Sequence, residues 1–223
     1  MKAALLSIVE LESGGNWASH PDLIRFMKGI HKLKPPLPKY SYTWDVNILL
    51  NFIKDKLANN CSLSLHYLTL KAVTLIALCS GQRAQTIHEM DLKFHSKIEN
   101  RYTFTFVNHL KTTKPGKSNV PIEIFKFEDP DLCVYRCIET YISRTEKLRS
   151  CSKLWRGVVT PFKAVSKDTI SRWIKTMLNL AGIDTDKFSA HSTRMASTSK
   201  ANCQGVGMET ILRTASLETE TNF

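Results

Sequence analysis

The chain has 223 residues, of which 43% are hydrophobic and 23% charged, so we expect a packed globular core and about one sizeable domain. Lys and Arg number 31 against 20 Asp and Glu, which gives a formal net charge of +11. A surplus of this size favours a polyanionic partner, nucleic acid before an anionic membrane surface. No apolar run is long enough to cross a bilayer, because polar residues interrupt the best candidate, residues 68–79.

The cysteines and the N-terminus point to no special chemistry. The six cysteines form no CxxC pair, and Cys79 falls in an apolar run where a free thiol is at home. We therefore expect reduced cysteines, no disulfide and no metal centre. Glu10 and Glu12 directly follow a short apolar stretch without a cleavage site, so we expect no secretory signal.

The chain is predicted to divide into three parts. Residues 1–33 contain two short predicted helices, at 3–12 and 21–31, which cannot bury a core alone. We interpret this part as the remnant of a larger helical domain, or as a strap on the main one. The sequence KPPLPKY at 34–40 favours extended backbone, so residues 34–42 are predicted to be a linker and residues 43–223 the main domain.

The main domain is predicted to begin with helices. Thr43 is a plausible N-cap for a first helix, whose inward side chains would be Trp44, Ile48, Leu49, Phe52, Ile53 and Leu57. Residues 63–79 are apolar nearly all round, which predicts a central buried helix. Ser80-Gly81 breaks that pattern, and a short helix is expected over residues 82–90.

The periodicity then changes to that of strands. Apolar and polar residues alternate over 102–107 and again over 120–125, with a basic, turn-rich segment between them, which predicts a basic β-hairpin. Further helices are predicted over 129–148, 166–181, 189–203 and 208–214, with Gly182 ending the second. The predicted fold class is mainly α with a small antiparallel β-sheet, an α+β domain.

Three separate segments carry residues suited to phosphate chemistry. Arg83 follows the tight glycine turn GQR at 81–83, and Lys111 and Lys114 lie on the predicted hairpin. His191 and Arg194 form an HxxR pair that shares one helical face. Taken singly, each would more often be a surface, capping or solvated group. The order of the set, beside a basic surplus, favours a functional interpretation.

This ordered set resembles the catalytic domain of the tyrosine recombinases, the integrase-like enzymes that break and rejoin DNA. The flanking sequences KPPLPKY before TWDV at 43–46, GQRAQT at 81–86 and ILRTAS at 211–216 resemble most the recombinases of DIRS-like and Crypton-like mobile elements. The resemblance covers roughly residue 20 to the end. It implies a core of the DNA breaking-and-rejoining type, with residues 1–33 left from a core-binding domain.

The resemblance also implies roles for the residues. Arg83 and Arg194 would clamp the phosphate oxygens, because planar and permanently charged guanidinium groups stabilise the charge that develops there. Lys111, with Lys114 as the alternative, would protonate the departing 5′ oxygen, and His191 would bind the phosphate or take the nucleophile's proton. Lys114, Lys117 and Arg213 would contact DNA. Neither a metal nor another cofactor is expected.

The sequence departs from the family pattern at two points. The family nucleophile is a tyrosine about one helix beyond the HxxR helix, and no tyrosine follows Arg194 here. Leu217 stands where the family has a His or Trp donor, and an aliphatic side chain cannot donate a hydrogen bond. We therefore expect a chain truncated at both ends, whose phosphotyrosyl chemistry is absent unless a tyrosine comes from elsewhere.

Three functions remain open on the sequence. The first is a recombinase-like protein of mobile-element origin that binds duplex DNA and can self-associate on it, in the nucleus or, less favoured, the cytoplasm. The second is a non-enzymatic DNA-binding or regulatory module that retains the fold. The third is a basic helical interaction protein without a nucleic-acid role. Salt dependence discriminates between them, because phosphate contacts weaken steeply as salt rises.

Overall fold

The computed structural model describes residues 17–34, 42–108, 110, 113, 116 and 119–217. The chain divides into two compact units, residues 1–42 and residues 43–223. The first unit contains a single 3₁₀ turn at Trp17–Ser19 and helix α1 at Pro21–Leu33, among its described residues. Pro21 occupies the first helical position, as predicted. The predicted helix at 3–12 and most of the linker lie outside the described residues.

Helix α2 (Val46–Lys56) opens the second unit. Its N-cap is Asp45, whose side chain accepts a hydrogen bond from the backbone N–H of Asn47 at 2.9 Å. The predicted cap at Thr43 is therefore wrong, since a carboxylate two residues later serves the same orphan donors. Ile48 was expected to face inward but is 47% exposed. The buried residues of the helix form a narrower stripe than the sequence pattern indicated: Val46, Leu49 and Ile53.

Helix α3 (Leu65–Ser80) is the predicted central helix. The Ser64 side chain accepts from the backbone N–H of Tyr67, and every residue from Leu68 to Ala77 is buried. Gly81 ends the helix in the left-handed conformation, with φ of 58°. Helix α4 (Ala84–His88) follows. It begins two residues later than predicted, because Gln82 and Arg83 belong to the turn and Arg83 has extended backbone dihedrals.

A three-stranded antiparallel sheet comes next, with β1 (His95–Ile98), β2 (Arg101–Phe104) and β3 (Ile122–Phe125) in that spatial order. Tyr102 pairs with Ile124 and Phe104 with Ile122, all with their side chains in the core. The predicted hairpin is thus confirmed, with shorter strands than expected. Strand β1 was not predicted, because it offers too few apolar residues to give an alternating pattern.

Four α-helices follow among the described residues: α5 (Val134–Thr145), α6 (Lys167–Leu180), α7 (Ser192–Cys203) and α8 (Met208–Thr214). Helix α5 begins later than predicted, because the side chain of Asp129 binds the backbone N–H of Asp131 and makes a turn around Pro130. Helix α7 also begins three residues later than expected. Helix α6 has Ser166 as its N-cap and Gly182 just beyond its end, with φ of 79°.

The core of the second unit forms around α3, which packs against α5, α6 and α7. Helix α4 packs on α6, and α8 packs on α7. This arrangement brings the starts of α4, α6 and α7 to one side of the central helix. Within the described residues, no helix has the length and apolar character needed to cross a membrane.

One cation is buried in the central helix. Lys71 is 0% exposed, and its Nζ donates to the backbone carbonyl of Leu57 at 2.7 Å and to Oδ1 of Asn60 at 2.8 Å. These bonds hold the loop after α2 against α3. Burial lowers the pKa of Lys71, because it disfavours the charged amine.

This burial predicts how the free energy of unfolding depends on pH. The pKa of Lys71 is lower in the folded protein than in the unfolded chain, so the cost of its charge is full below the folded pKa. That cost is lost as pH rises from the folded pKa toward the ordinary value of 10.5. Relative to Lys71→Met, the unchanged protein should therefore gain stability as pH rises toward 10.5, in urea unfolding followed by circular dichroism.

Lys54→Met is the matched control. Lys54 is exposed, and its hydrogen bond and ion pair with Asp129, 2.9 Å away, raise its pKa. Stabilisation from Lys54 is therefore present below its unfolded pKa and is lost as pH rises through the folded one. Below pH 10.5 the effect of Lys54→Met on the free energy of unfolding should therefore stay nearly constant, whereas the effect of Lys71→Met should change. Parallel pH profiles for the unchanged protein and Lys71→Met would contradict the expectation.

Candidate phosphate-binding site

Three of the predicted site residues line one pocket. Arg83, His191 and Arg194 surround a space of about 270 Å³, between the start of α4, the start of α7 and the first turn of α6. Arg83 lies more than one hundred positions from His191 and Arg194 in the sequence. The fold therefore brings together two guanidinium groups and an imidazole, a set of side chains suited to an anion.

A glycine turn presents Arg83 to this pocket. A Cβ on Gly81 would lie 2.9 Å from the Cβ of Ala215, closer than real Cβ atoms approach, and the left-handed φ also favours glycine. The adjacent Gln82 side chain donates to the backbone carbonyl of Thr214 at 2.7 Å and to Oγ of Ser216 at 2.8 Å. The turn before Arg83 is thus fastened to the end of α8.

Arg194 is held much more deeply. It is 6% exposed in the first turn of α7, and its Nη2 donates to the backbone carbonyl of Ser216 at 3.1 Å. Its Nη1 is buried and has no hydrogen-bond partner among the described residues. A buried donor without a partner costs about 1–3 kcal/mol, and more when the group is charged.

Electrostatics adds to this cost. Burial, and then the charge of Arg83, lower the pKa of Arg194 to about 10. The positive charge of Arg83 therefore disfavours the charged form of Arg194. An anion in the pocket would relieve the repulsion and would accept from the unpartnered Nη1, so an anion is the ligand that the arrangement favours.

His191 stands at the N-cap of α7, where its side chain is exposed and lines the pocket. Its position is fixed by the next residue. Ser192 accepts a hydrogen bond from Nε1 of Trp44 at 3.0 Å and donates to the carbonyl of Ser189 at 2.7 Å. The sequence identified Trp44 only as a core residue, yet it also anchors the segment that carries His191.

Sequence reasoning missed the contribution of α6. Lys167 and Asp168 lie in its first turn and line the same pocket, as does Gln85 of α4. Lys167 is exposed and adds a third cation, whereas Asp168 places a carboxylate nearby. The Ser166 cap could predict the start of a helix, but no local signal tells which helix start will lie opposite Arg83.

The other predicted residues lie elsewhere. Lys111, Lys114 and Lys117 are outside the described residues. Arg213 is exposed on α8, a helix that contributes no described residue to the lining of this pocket. Leu217 is half-buried and follows Ser216, the residue whose carbonyl binds Arg194. Across the described part of the chain, no group of three or more His, Cys, Asp or Glu side chains could hold a metal ion.

Comparison with known proteins gives matches among solved structures only. No family model matches the chain, and no curated protein sequence matches it. The XerH site-specific recombinase bound to a palindromic difH substrate, in a post-cleavage complex, matches with a TM-score of 0.59 at 13% identity, over 79% of this chain and 46% of that chain. Its pre-cleavage complex matches with a TM-score of 0.57 at 13% identity, over 80% and 47% respectively.

The XerA recombinase matches with a TM-score of 0.55 at 16% identity, over 82% of this chain and 57% of that chain. The chain thus spans about half the length of these solved structures. At such identities the likeness extends to the fold. It confirms the predicted class, a mainly helical α+β domain with a small antiparallel sheet, of the kind found in recombinases that break and rejoin DNA.

Proposed function

We propose that this chain binds duplex DNA through the phosphate backbone, as a tyrosine-recombinase-like protein. The observation that carries the proposal is the pairing of Arg83 and Arg194 at one pocket, with the buried Nη1 of Arg194 left unpartnered. A phosphate diester carries a negative charge and several acceptor oxygens, which match the two guanidinium groups at the pocket. The net charge of +11 supports a polyanion over a small anionic metabolite.

The side chains that line the pocket have different roles in phosphate binding. Arg194, nearly buried and held by Ser216, is the fixed part of the clamp, and the half-buried Arg83 is the accessible part. Lys167 adds a third positive charge at the rim, and His191 provides a neutral or charged donor. Such contacts bind the backbone of any sequence, so they set affinity and orientation rather than base specificity.

We also propose that strand cleavage does not occur on this chain alone. The phosphotyrosyl route needs a tyrosine hydroxyl, and within the printed sequence no tyrosine follows Arg194. Leu217 stands where the family has a hydrogen-bond donor, and it cannot act as one. Lys111 is our first candidate for the lysine that would protonate a leaving oxygen, with Lys114 as the second. A tyrosine from another segment or chain would have to complete the reaction.

The proposed lineage is that of DIRS-like or Crypton-like mobile elements, on the sequences GQRAQT at 81–86 and ILRTAS at 211–216. The same segments meet at the site, because Gln82 binds Thr214 and Ser216. Self-association on DNA is part of this proposal, by analogy with the multimers in which such recombinases work. Lys117 and Arg213 are proposed as further DNA contacts.

The clamp is tested by substituting its arginines. Arg83→Ala removes a half-exposed cation and should weaken binding to a mixed-sequence duplex about ten-fold or more, since a charge-assisted hydrogen bond contributes roughly 1.5–3 kcal/mol. The slope of log K against log[salt] should fall by about 0.9, because one phosphate contact is lost. Fluorescence anisotropy between low and moderate salt measures both values.

Arg136→Ala is the matched control for this measurement, because Arg136 is exposed on α5 and does not line the pocket. It should change affinity and slope much less. Arg194→Lys keeps the charge and loses the planar fork, so it should also weaken binding. Thermal unfolding identifies any variant that fails to fold. If Arg83→Ala and Arg136→Ala behaved alike, the clamp would be wrong.

Lys167 is tested against a lysine on the same helix. Lys167→Ala should lower the salt slope by about 0.9, as expected for one lost phosphate contact. Lys175→Ala, two turns further along α6 and also exposed, is the control, because Lys175 does not line the pocket. Equal slopes for the two variants would remove Lys167 from the site.

The absence of cleavage is tested on DNA first selected for tight binding from a random library. Scissile phosphates in that DNA are replaced by bridging phosphorothiolates, which trap a covalent intermediate. We expect no protein–DNA link that survives denaturing electrophoresis, because the chain offers no tyrosine after Arg194. A stable link would show that a nucleophile elsewhere in these 223 residues acts on the phosphate.

A further inference from the structure

One side chain closes the base of the lysine-bearing segment, residues 109–118. Nδ2 of Asn119 donates to the backbone carbonyl of Phe106 at 3.1 Å and to that of Asn108 at 3.0 Å, on the opposite arm of the hairpin. Its Oδ1 accepts from Oγ1 of Thr113 at 2.6 Å, inside the segment. The backbone N–H of Leu110 donates in turn to that same Thr113 oxygen at 2.7 Å.

These bonds lie beyond the end of the regular hairpin. The ladder between β2 and β3 stops at the pair Phe104 and Ile122. Seventeen residues separate those two positions, so the bonds of Asn119 lie outside the ladder. Beyond the end of the ladder, the half-buried Asn119 amide links the two arms of the hairpin through its bonds to Phe106 and Asn108.

A second tie fastens this base to the helix that begins after Arg83. Oε2 of Glu89, the C-cap of α4, accepts from Nδ2 of Asn108 at 2.8 Å and from Nζ of Lys153 at 2.8 Å. The other oxygen, Oε1, lies 3.0 Å from Nδ1 of His88. The Glu89 side chain is 19% exposed, so these bonds are shielded from water more than those of a surface carboxylate.

His88 also contacts the segment that leads into α6, whose first turn lines the pocket. Nε2 of His88 lies 3.0 Å from the backbone carbonyl of Val165, which directly precedes the Ser166 cap of α6. The short span 88–89 therefore joins the Arg83 helix, the base of the lysine segment and the segment leading to Lys167. A side chain that only solvates the surface would not bridge three separate segments.

We propose that Asn119 and Glu89 are positioning residues for phosphate binding by Lys111 and Lys114, because they tie the described residues on either side of those lysines to one another and to the Arg83 helix. The inference rests on the proposed function, because it assigns to these residues a role in phosphate binding. They act through Lys111 and Lys114, and neither contacts DNA itself. Asn119 joins the two arms at Phe106 and Asn108, and Glu89 joins Asn108 to α4.

The experiment measures coupling between Asn119 and the lysines. DNA affinity and salt slope are determined for Asn119→Ala, for the double variant Lys111→Ala/Lys114→Ala, and for the triple variant. Asn119→Ala should weaken binding about three- to ten-fold and lower the slope by about 0.9, as expected when one phosphate contact is lost. The same substitution should have no further effect in the double-variant background, since the lysines through which it acts are gone.

Two more variants separate positioning from loss of folding. Asn119→Asp keeps the volume and the acceptor but loses both donated bonds, so it should behave like Asn119→Ala. Thr105→Ala is the control, because it removes a 2.9 Å side-chain bond to the carbonyl of Phe94 away from this base. Glu89→Gln should reduce the slope less than Glu89→Ala, because the amide retains an acceptor for Asn108.

Limited trypsin digestion without DNA reports the segment directly. Asn119→Ala should speed cleavage after Lys111 and Lys117 relative to cleavage at other lysines. Lost binding in the double lysine variant, with unchanged binding and digestion in Asn119→Ala, would overturn the positioning role and leave the proposed function intact. Additive losses in the triple variant would also overturn it. If the unchanged protein showed no salt-dependent DNA binding, the proposed function and this role would fail together.

Discussion

Two positive guanidinium groups are held at one pocket against their mutual repulsion, and a three-residue segment, 214–216, holds both of them there. Gln82, next to Arg83, binds Thr214 and Ser216, and Arg194 binds the carbonyl of Ser216. The absence of a Cβ at Gly81 lets the turn approach this segment. Movement of the 214–216 segment would therefore displace both arginines together, so the spacing of the clamp depends on a single anchor.

Buried cations occur elsewhere in the domain, and their partners distinguish their roles. Lys71 is enclosed by a carbonyl and an amide oxygen, so its charge serves the packing of a loop. Arg149 and Arg156 also have a buried Nε without a described partner, but their other nitrogens bind within residues 145–154, close to them in sequence. Arg194 differs because it lines an open pocket beside a second arginine. An unpartnered donor alone does not identify a binding group. Its location at an open pocket does.

The sequence predicted those helices and strands that depend on local residue patterns. The central helix was evident because residues 63–79 are apolar nearly all round, and Gly81 marked its end because few other residues adopt a left-handed φ. The hairpin of β2 and β3 was evident from alternation, whereas β1 pairs through its backbone and carries no such pattern. Helix starts were predicted several residues early, because side-chain turns such as that of Asp129 compete with the first helical turn.

The residues of the site also divide into those that the sequence could predict and those that it could not. Arg83, His191 and Arg194 could be grouped by their order along the chain, and the fold brings them to one pocket. Lys167 could not be found in that way, because only the packing of α6 on α3 and α4 places its first turn there. Glu89 and Asn119 are polar residues near turns, for which solvation is the ordinary expectation. Their long-range bonds depend on tertiary structure, so no spacing rule in the sequence identifies them.

Phosphate binding and strand cleavage place different demands on this architecture. Binding requires the two arginines and their anchor, which belong to α3, α4, α7 and α8 and the turns between them. Cleavage adds a proton donor on the hairpin and a tyrosine hydroxyl aimed at phosphorus, and each must be set within a fraction of an ångström. The two arginines can bind any phosphate that enters the pocket. The covalent step, in contrast, cannot occur without a nucleophile. A change that affects only the covalent step therefore leaves the anchor of both arginines unchanged, so phosphate binding does not depend on strand cleavage.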